Sequence, residues 1–338
     1  MKSRVTRSAS ACLVLWLALS APLVAQSPAG AGAEPPIAAL SFTPDGAALV
    51  SSGVKGIEIR SAKDGSVRER MSYAMDKVND LAFQPAGALL AIAGGTPGLQ
   101  GEVILLDWKS KMIVHRFTNH TDLVNAVSFS PSGHWMAVAS SDRSADLWRL
   151  EAGRFSEAPA FALNGHAGPI LAIAFSPAED EIVTASADRS IKVWSVENGR
   201  LLRTFSHHTE AVHALAFRPI ASAQAENTAP FCASGSDDGT VRIWQPSNGR
   251  MVRIIRQHHG SILALAYRPD GSALYSAGQE GIIRQLDPNS DAILKQWKAH
   301  GDWIYALAMS PDGSRLASGD WGGDVRVWDL QMDVLRSN

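Results

Sequence analysis

The chain has 338 residues, with 31 Lys plus Arg against 33 Asp plus Glu and two cysteines. A net charge of -2 offers no basic field for neutralising phosphates, which excludes nucleic acid as an expected partner. With 46% apolar and 19% charged residues, the composition suits a packed soluble body and argues against a disordered one.

Lys2, Arg4 and Arg7 precede an apolar stretch over 9–25 that is broken by Ser20 and Pro22 and ends in small residues at Ala21 and Ala25. This reads as a secretory signal peptide, 1–25, cut after Ala25. Leu23, three residues before that cut, is larger than the preferred residue, and an uncut segment of this length sits at the lower limit for spanning a bilayer. Cleavage predicts an exported protein, periplasmic in a Gram-negative cell and otherwise secreted, without a membrane span. Cys12 leaves with the signal, and Cys232 cannot build a disulfide, a haem attachment site or a cysteine zinc cluster alone. Within Phe231-Cys232-Ala233 it reads as a small buried strand residue. Residues 26–36, rich in Ala, Gly and Pro, read as a flexible tether.

Self-similarity governs the remainder, 37–338. Seven times an apolar run ends in an aromatic residue or Met, one residue, then Pro: Phe42/Pro44, Phe83/Pro85, Phe129/Pro131, Phe175/Pro177, Phe217/Pro219, Tyr267/Pro269 and Met309/Pro311. Intervals of 41 to 50 residues mark stacked supersecondary units. In one unit, apolar residues 170–175, a turn at 176–180, a strand at 181–185, a turn at 187–190, an alternating run at 191–194 and a last strand at 201–205 predict a four-stranded antiparallel sheet. Such a sheet has two apolar faces and buries both by packing between two like sheets.

Asn164-Gly165-His166, Phe175-Ser176-Pro177, the run 186–194 ending in Val193-Trp194, and Trp328-Asp329 resemble the WD40 family of β-propellers, over about residues 37–336. The resemblance implies an all-β fold, a seven-bladed WD40-type β-propeller with four antiparallel strands per blade, preceded by a signal peptide. Extra residues fall in blade 2 around 94–101, in blade 3 around 151–159 and in blade 5 around 220–230. Residues 26–36 make a poor strand, so the ring is expected to close by face packing, with 332–336 as the outer strand of blade 7.

His166, Ser186 and Asp188 have the composition of a nucleophilic triad. The set recurs as His120, Ser140 and Asp142 and as His208, Ser236 and Asp238, each with a Trp six residues after the Asp: Trp194, Trp148 and Trp244. Three copies fit structure better than one active site, and the resemblance implies a tetrad in which Asp holds His, His holds the Ser hydroxyl, and Ser accepts from the indole. In blade 7, His300 and Trp328 persist while Asp320 replaces Ser, so a direct His300–Asp320 contact is expected; in blade 6, Glu280 takes the Asp position for His258. No catalytic residue, cofactor or metal is expected. His207 and His259 supply two ligands without a third, and 94–101 lacks the Lys and helix of a phosphate loop.

Carried over by register, the rim positions of the family are Lys77, Asn79, Leu123, Asn125, Ser141, His213, Asp237, Trp303, Tyr305 and Trp321. Three large aromatics in blade 7 beside Lys77, Asn79 and the 94–101 insertion form an expected partner-binding patch, with His213 and Asp237 further round. The alternative is that Trp303 and Trp321 fill space between blades. The expected function is a non-catalytic, monomeric platform for another protein. An enzyme or ligand sensor of lactonase or quinoprotein type at the central channel, or an accessory module of a periplasmic electron-transfer or envelope complex, remains open.

Overall fold

The computed structural model describes residues 35–53, 55–151, 154–156, 158–220 and 229–331. The expected signal peptide, the tether up to residue 34, the outer strand at 332–336 and most of the blade 5 insertion lie outside them.

Blade 4 shows why these residues form sheets. Its strands Ile170–Phe175, Glu181–Ser186, Ile191–Ser195 and Leu201–Phe205 pair in sequential antiparallel order. The second strand is buried along its whole length and the third at every residue except the last, so both carry small or β-branched side chains on both faces, such as Ile182, Val183, Ala185 and Val193. That is the composition of a strand covered from both sides. The outer strand instead presents Leu201, Leu202 and Thr204 to solvent. Tight turns separate the strands: at the register where Gly46, Gly87, Gly133, Gly271 and Gly313 take positive φ, blade 4 places Glu179 at φ 60°.

Seven such sheets follow in chain order at residues 40–72, 77–120, 124–164, 170–205, 212–255, 262–298 and 304–329. Each of seven hydrophobic clusters draws side chains from two neighbouring sheets. Ile92 and Leu106 pack on Val50 and Ile57, Trp194 and Ile182 on Leu147 and Ala137, and Leu316 and Ile304 on Tyr275 and Ile283. The last sheet packs on the first through Ala306, Ala308, Ala317 and Val325 against Ile37, Leu40, Phe42 and Leu49. No sheet has a core of its own, so the ring of seven is the smallest unit that leaves no apolar face open. The molecule is an all-β, seven-bladed propeller.

The blades differ where the sequence departs from the repeat. In blade 2 the residues 94–101 extend the strands: Leu89–Thr96 pairs with Gln100–Asp107 out to Thr96 and Gln100, leaving a turn at 97–99. Gly94 permits this, because a Cβ there would lie 1.8 Å from the Lys77 carbonyl oxygen. Blade 3 adds a short strand, Arg154–Phe155, beside its third strand, whose other end pairs with the outer strand Phe161–Asn164. Blade 7 has three strands among the described residues, Ile304–Met309, Arg315–Asp320 and Val325–Asp329. The entering chain is fixed to blade 7 by the Ile37 N–H, which donates to the Asp320 carbonyl oxygen at 3.0 Å. The described residues contain no helix, and so none long and apolar enough to cross a membrane.

Candidate functional site

The geometry of the triad-like residues decides whether they can do nucleophilic chemistry. His166 Nδ1 lies 2.9 Å from Asp188 Oδ2, His120 Nδ1 3.0 Å from Asp142 Oδ2, and His208 Nδ1 2.8 Å from Asp238 Oδ2. With Nδ1–H donated to the carboxylate, Nε2 accepts a hydroxyl proton. The hydroxyl is not the expected serine. In blade 4 it is Thr184 Oγ1, 2.8 Å from His166 Nε2, and the Trp194 indole N–H donates to the same oxygen at 2.9 Å. Ser234, Ser276 and Ser318 take this place for His208, His258 and His300, and Trp328 donates to Ser318.

The expected Ser140, Ser186 and Ser236 stand two residues further on, about 7 Å along the strand and at its last residue, beside the carbonyls of the preceding loop and not the indole. Each does a different task. Their hydroxyls donate to carbonyl oxygens of the preceding loop, Ser140 to Asp122, Ser186 to Gly168 and Ser236 to Glu210, and accept the N–H of Asp142, Asp188 and Asp238. Blade 3 has Val138 at the bridging register, and its His120 Nε2 is buried without a hydrogen bond, 3.8 Å from Asp146 Oδ2. In blade 5 the Trp244 indole N–H is likewise buried without a partner.

These networks are closed to substrate. Thr184, Ser234, Ser276 and Ser318 are fully buried, and the His166 and His300 side chains are 0% exposed. Burial works upward on the Asp142, Asp188 and Asp238 carboxyls. Hydrogen bonds from the paired His and from Ser144, Ser190 or Thr240 override it and hold all three well below the usual carboxylate range. Blade 6 substitutes Glu280 at 3.0 Å from His258 Nδ1, with Arg284 bridging both; burial and that guanidinium push His258 down to about 4.

In blade 7, His300 Nδ1 is 3.0 Å from Asp320 Oδ2 and 3.7 Å from Asp324 Oδ2. This trio places possible metal-ligand atoms within 4.8 Å of one another. Each group already has other partners: His300 Nε2 holds Ser318, Asp320 Oδ1 accepts the Asp324 N–H, and Asp324 pairs with Arg326 at 2.7 Å. The arrangement is that of a hydrogen-bonded clasp. His207 lies against Phe205, while its neighbour His208 belongs to the network of its blade.

The rim residues gather around Tyr305. Its ring stacks on Trp303 with centroids 6.3 Å apart and meets Trp321 at 5.5 Å. Tyr305 and Trp321 line a cavity of about 340 Å³ over blades 7, 1 and 2, together with Lys77, Asp76, Pro35 and Pro36. The extended hairpin of blade 2 reaches its edge through Thr96, whose hydroxyl donates to Asp76 Oδ2 at 2.8 Å. Tyr305 also lines a second cavity, about 210 Å³, on the ring axis, together with Asn79, Asn125 and His213.

Asn79 and Asn125 act as staples between blades: the amide of Asn79 donates to the Val124 carbonyl oxygen and that of Asn125 to Ile170, each at 2.9 Å. Asn125 also donates to Ser141 Oγ at 2.8 Å. His213 Nε2 sits 2.9 Å from Asp237 Oδ2. Trp303 flanks Tyr305 without lining either cavity.

One residue of the axial cavity went unread in the sequence. Ala39, Ala126, Ala172, Ala214, Ala264 and Ala306 repeat at one register of the innermost strands, and blade 2 places Asp80 there. The exception is visible on aligning the seven anchors. Asp80 accepts the Val127 N–H at 2.9 Å and its own strand's Leu81 N–H at 2.8 Å. Burial raises it to about 6 against the pull of those two N–H groups.

Repeated sheets, closed polar networks and cavities on one rim and on the axis define a repeat scaffold of the propeller class. The domain described as WDR90, 4th beta-propeller, matches residues 170–307, and the WD domain, G-beta repeat, matches 111–149 and 292–329. The chain belongs to the WD40-repeat β-propeller family. A comparison with curated proteins finds no match.

Proposed function

We propose that the protein is a non-catalytic interaction platform, exported from the cytoplasm, that holds a partner protein on the face where blades 7, 1 and 2 meet. The observation that carries this reading is the aromatic group in which Tyr305 lines two adjoining cavities, Trp321 lines one of them and Trp303 stacks on Tyr305. Large aromatics at the centre of a face are the residues that dominate binding energy at interfaces. A non-catalytic role accords with hydroxyl, imidazole and carboxylate groups that are buried and committed to one another in several blades. Export rests on the basic residues and apolar run of the first 25 positions.

Affinity capture from cell-envelope extracts, with the wild-type protein and with Trp303→Ala and Trp321→Ala, tests the platform. A partner held by the wild type and lost from folded variants supports it. A partner held equally by all three refutes the location. Cell fractionation of the full chain tests export separately.

A further inference from the structure

We infer that the axial cavity receives one basic side chain, lysine or arginine, from a partner segment whose neighbouring apolar residue fills the cavity beside Pro35, Pro36 and Trp321. The inference deepens the platform reading and rests on it.

A ring of alanines lines the axis. Six of seven blades place a methyl group at this register, which is what close packing of the innermost strands requires. A half-buried carboxylate at the seventh is the expensive choice, since a partly desolvated charge gains from a partner. Two backbone N–H groups partly supply one, and no Lys, Arg or His among the described residues stands within ion-pair distance of Asp80. The one basic side chain among the residues lining the cavity, His213, faces Asp237.

The remaining polar atoms agree in sign. Asn79 uses its amide N–H groups on the Val124 carbonyl and, at 3.4 Å, on Asn125 Oδ1, and Asn125 uses its own on the Ile170 carbonyl and Ser141, which leaves the Asn79 oxygen as the acceptor lining the cavity. The Tyr305 side chain lines the same cavity and adds aromatic surface for an aliphatic stem. A volume of about 210 Å³ lies below the roughly 300 Å³ at which drug-sized ligand sites begin, which fits one side chain. A bare metal ion would find one carboxylate whose oxygens already accept N–H groups, fewer ligands than protein metal sites use.

The second cavity shares Tyr305 and Ala38 with the first. Its prolines, Val78 and Trp321 suit an apolar group. Two adjoining sites of different chemistry select a basic residue with an apolar one close by in sequence.

Acetylated and amidated pentapeptides with Leu at both ends and Arg, Lys, citrulline or Glu at the centre, separated by Ala, provide the probe. Binding is read by chemical-shift titration. The Arg and Lys peptides are expected to bind, and citrulline, which keeps the shape of Arg without its charge, to bind on the order of 10- to 100-fold more weakly, the scale of one charged hydrogen bond. Asp80→Ala installs the residue the other six blades carry, so the ring folds, as its melting curve would confirm, and its affinity for the Arg peptide falls to the citrulline level. Equal affinity for Arg and citrulline peptides, no binding of either, or an unchanged Asp80→Ala variant overturns the inference. If Trp303→Ala and Trp321→Ala lose the captured partner while Asp80→Ala retains it, the platform stands and the cation receptor alone falls.

Discussion

Replacing Thr184 with valine tests the central correction to the repeat chemistry, that the bridging hydroxyl lies two residues before the conspicuous serine. Valine keeps the shape and deletes the oxygen that holds both His166 Nε2 and the Trp194 indole N–H. Thr184 is fully buried, the His166 side chain is 0% exposed and Trp194 is 2% exposed, so water cannot replace the bond. Two buried groups are orphaned, each costing about 1–3 kcal/mol, so Thr184→Val loses on the order of 2–6 kcal/mol. Ser186→Ala removes bonds to the Gly168 carbonyl and from the Asp188 N–H at a loop edge, a loss nearer about 1 kcal/mol. Blade 3 provides the reverse experiment. Val138→Thr offers His120 Nε2 the hydroxyl it lacks and is expected to gain about 1 kcal/mol. Calorimetry at fixed scan rate ranks the three variants, and indole N–H exchange at Trp194 localises the change. Ser186→Ala costing more than Thr184→Val, or Val138→Thr destabilising the ring, refutes the reasoning.

Acid stability follows from the depressed carboxyls. Asp142, Asp188 and Asp238 have folded pKa values below their unfolded value of about 3.9, so their contribution is complete above about pH 4 and is lost as pH falls through the folded values. Urea midpoints of the wild type should therefore drop below pH 4, and Asp188→Asn should flatten that drop. Asp80 carries the opposite sign. Its folded value of about 6 exceeds the unfolded one, so ionisation makes stability fall between about pH 4 and 6; Asp80→Ala should remove that slope in the same titration. Gly94→Ala should disrupt blade 2, because the new methyl would collide with the Lys77 carbonyl, whereas Gly98→Ala meets open space and costs only the positive-φ penalty of about 1–2 kcal/mol; hydrogen exchange in the strand Lys77–Phe83 distinguishes them.

The seven anchors, the strand order and the face-to-face burial were legible because a period of about 42 residues is written into every blade, and one sheet's apolar faces can be covered only by its neighbours. Asp–His pairing was legible through the resemblance to the WD40 family. The bridging hydroxyl was not. Thr184, Ser234, Ser276 and Ser318 change identity and become valine in blade 3, whereas Ser140, Ser186 and Ser236 recur within a fixed motif. Recurrence therefore singled out the serine whose backbone contacts are the more regular, and two residues of strand rise carry that serine past the indole to the loop at the strand's end.

The rim divides along the same line. Register placed Trp303, Tyr305 and Trp321 on one face, but it could not say that Tyr305 joins two cavities, which depends on Pro35 and Pro36 from outside the repeat. Asp80 marks the complementary case. A repeat protein's structural chemistry lies in what its blades share, so a single departure that costs packing and leaves a charge without a cation is the place to look for what this ring, among many of its shape, has to hold.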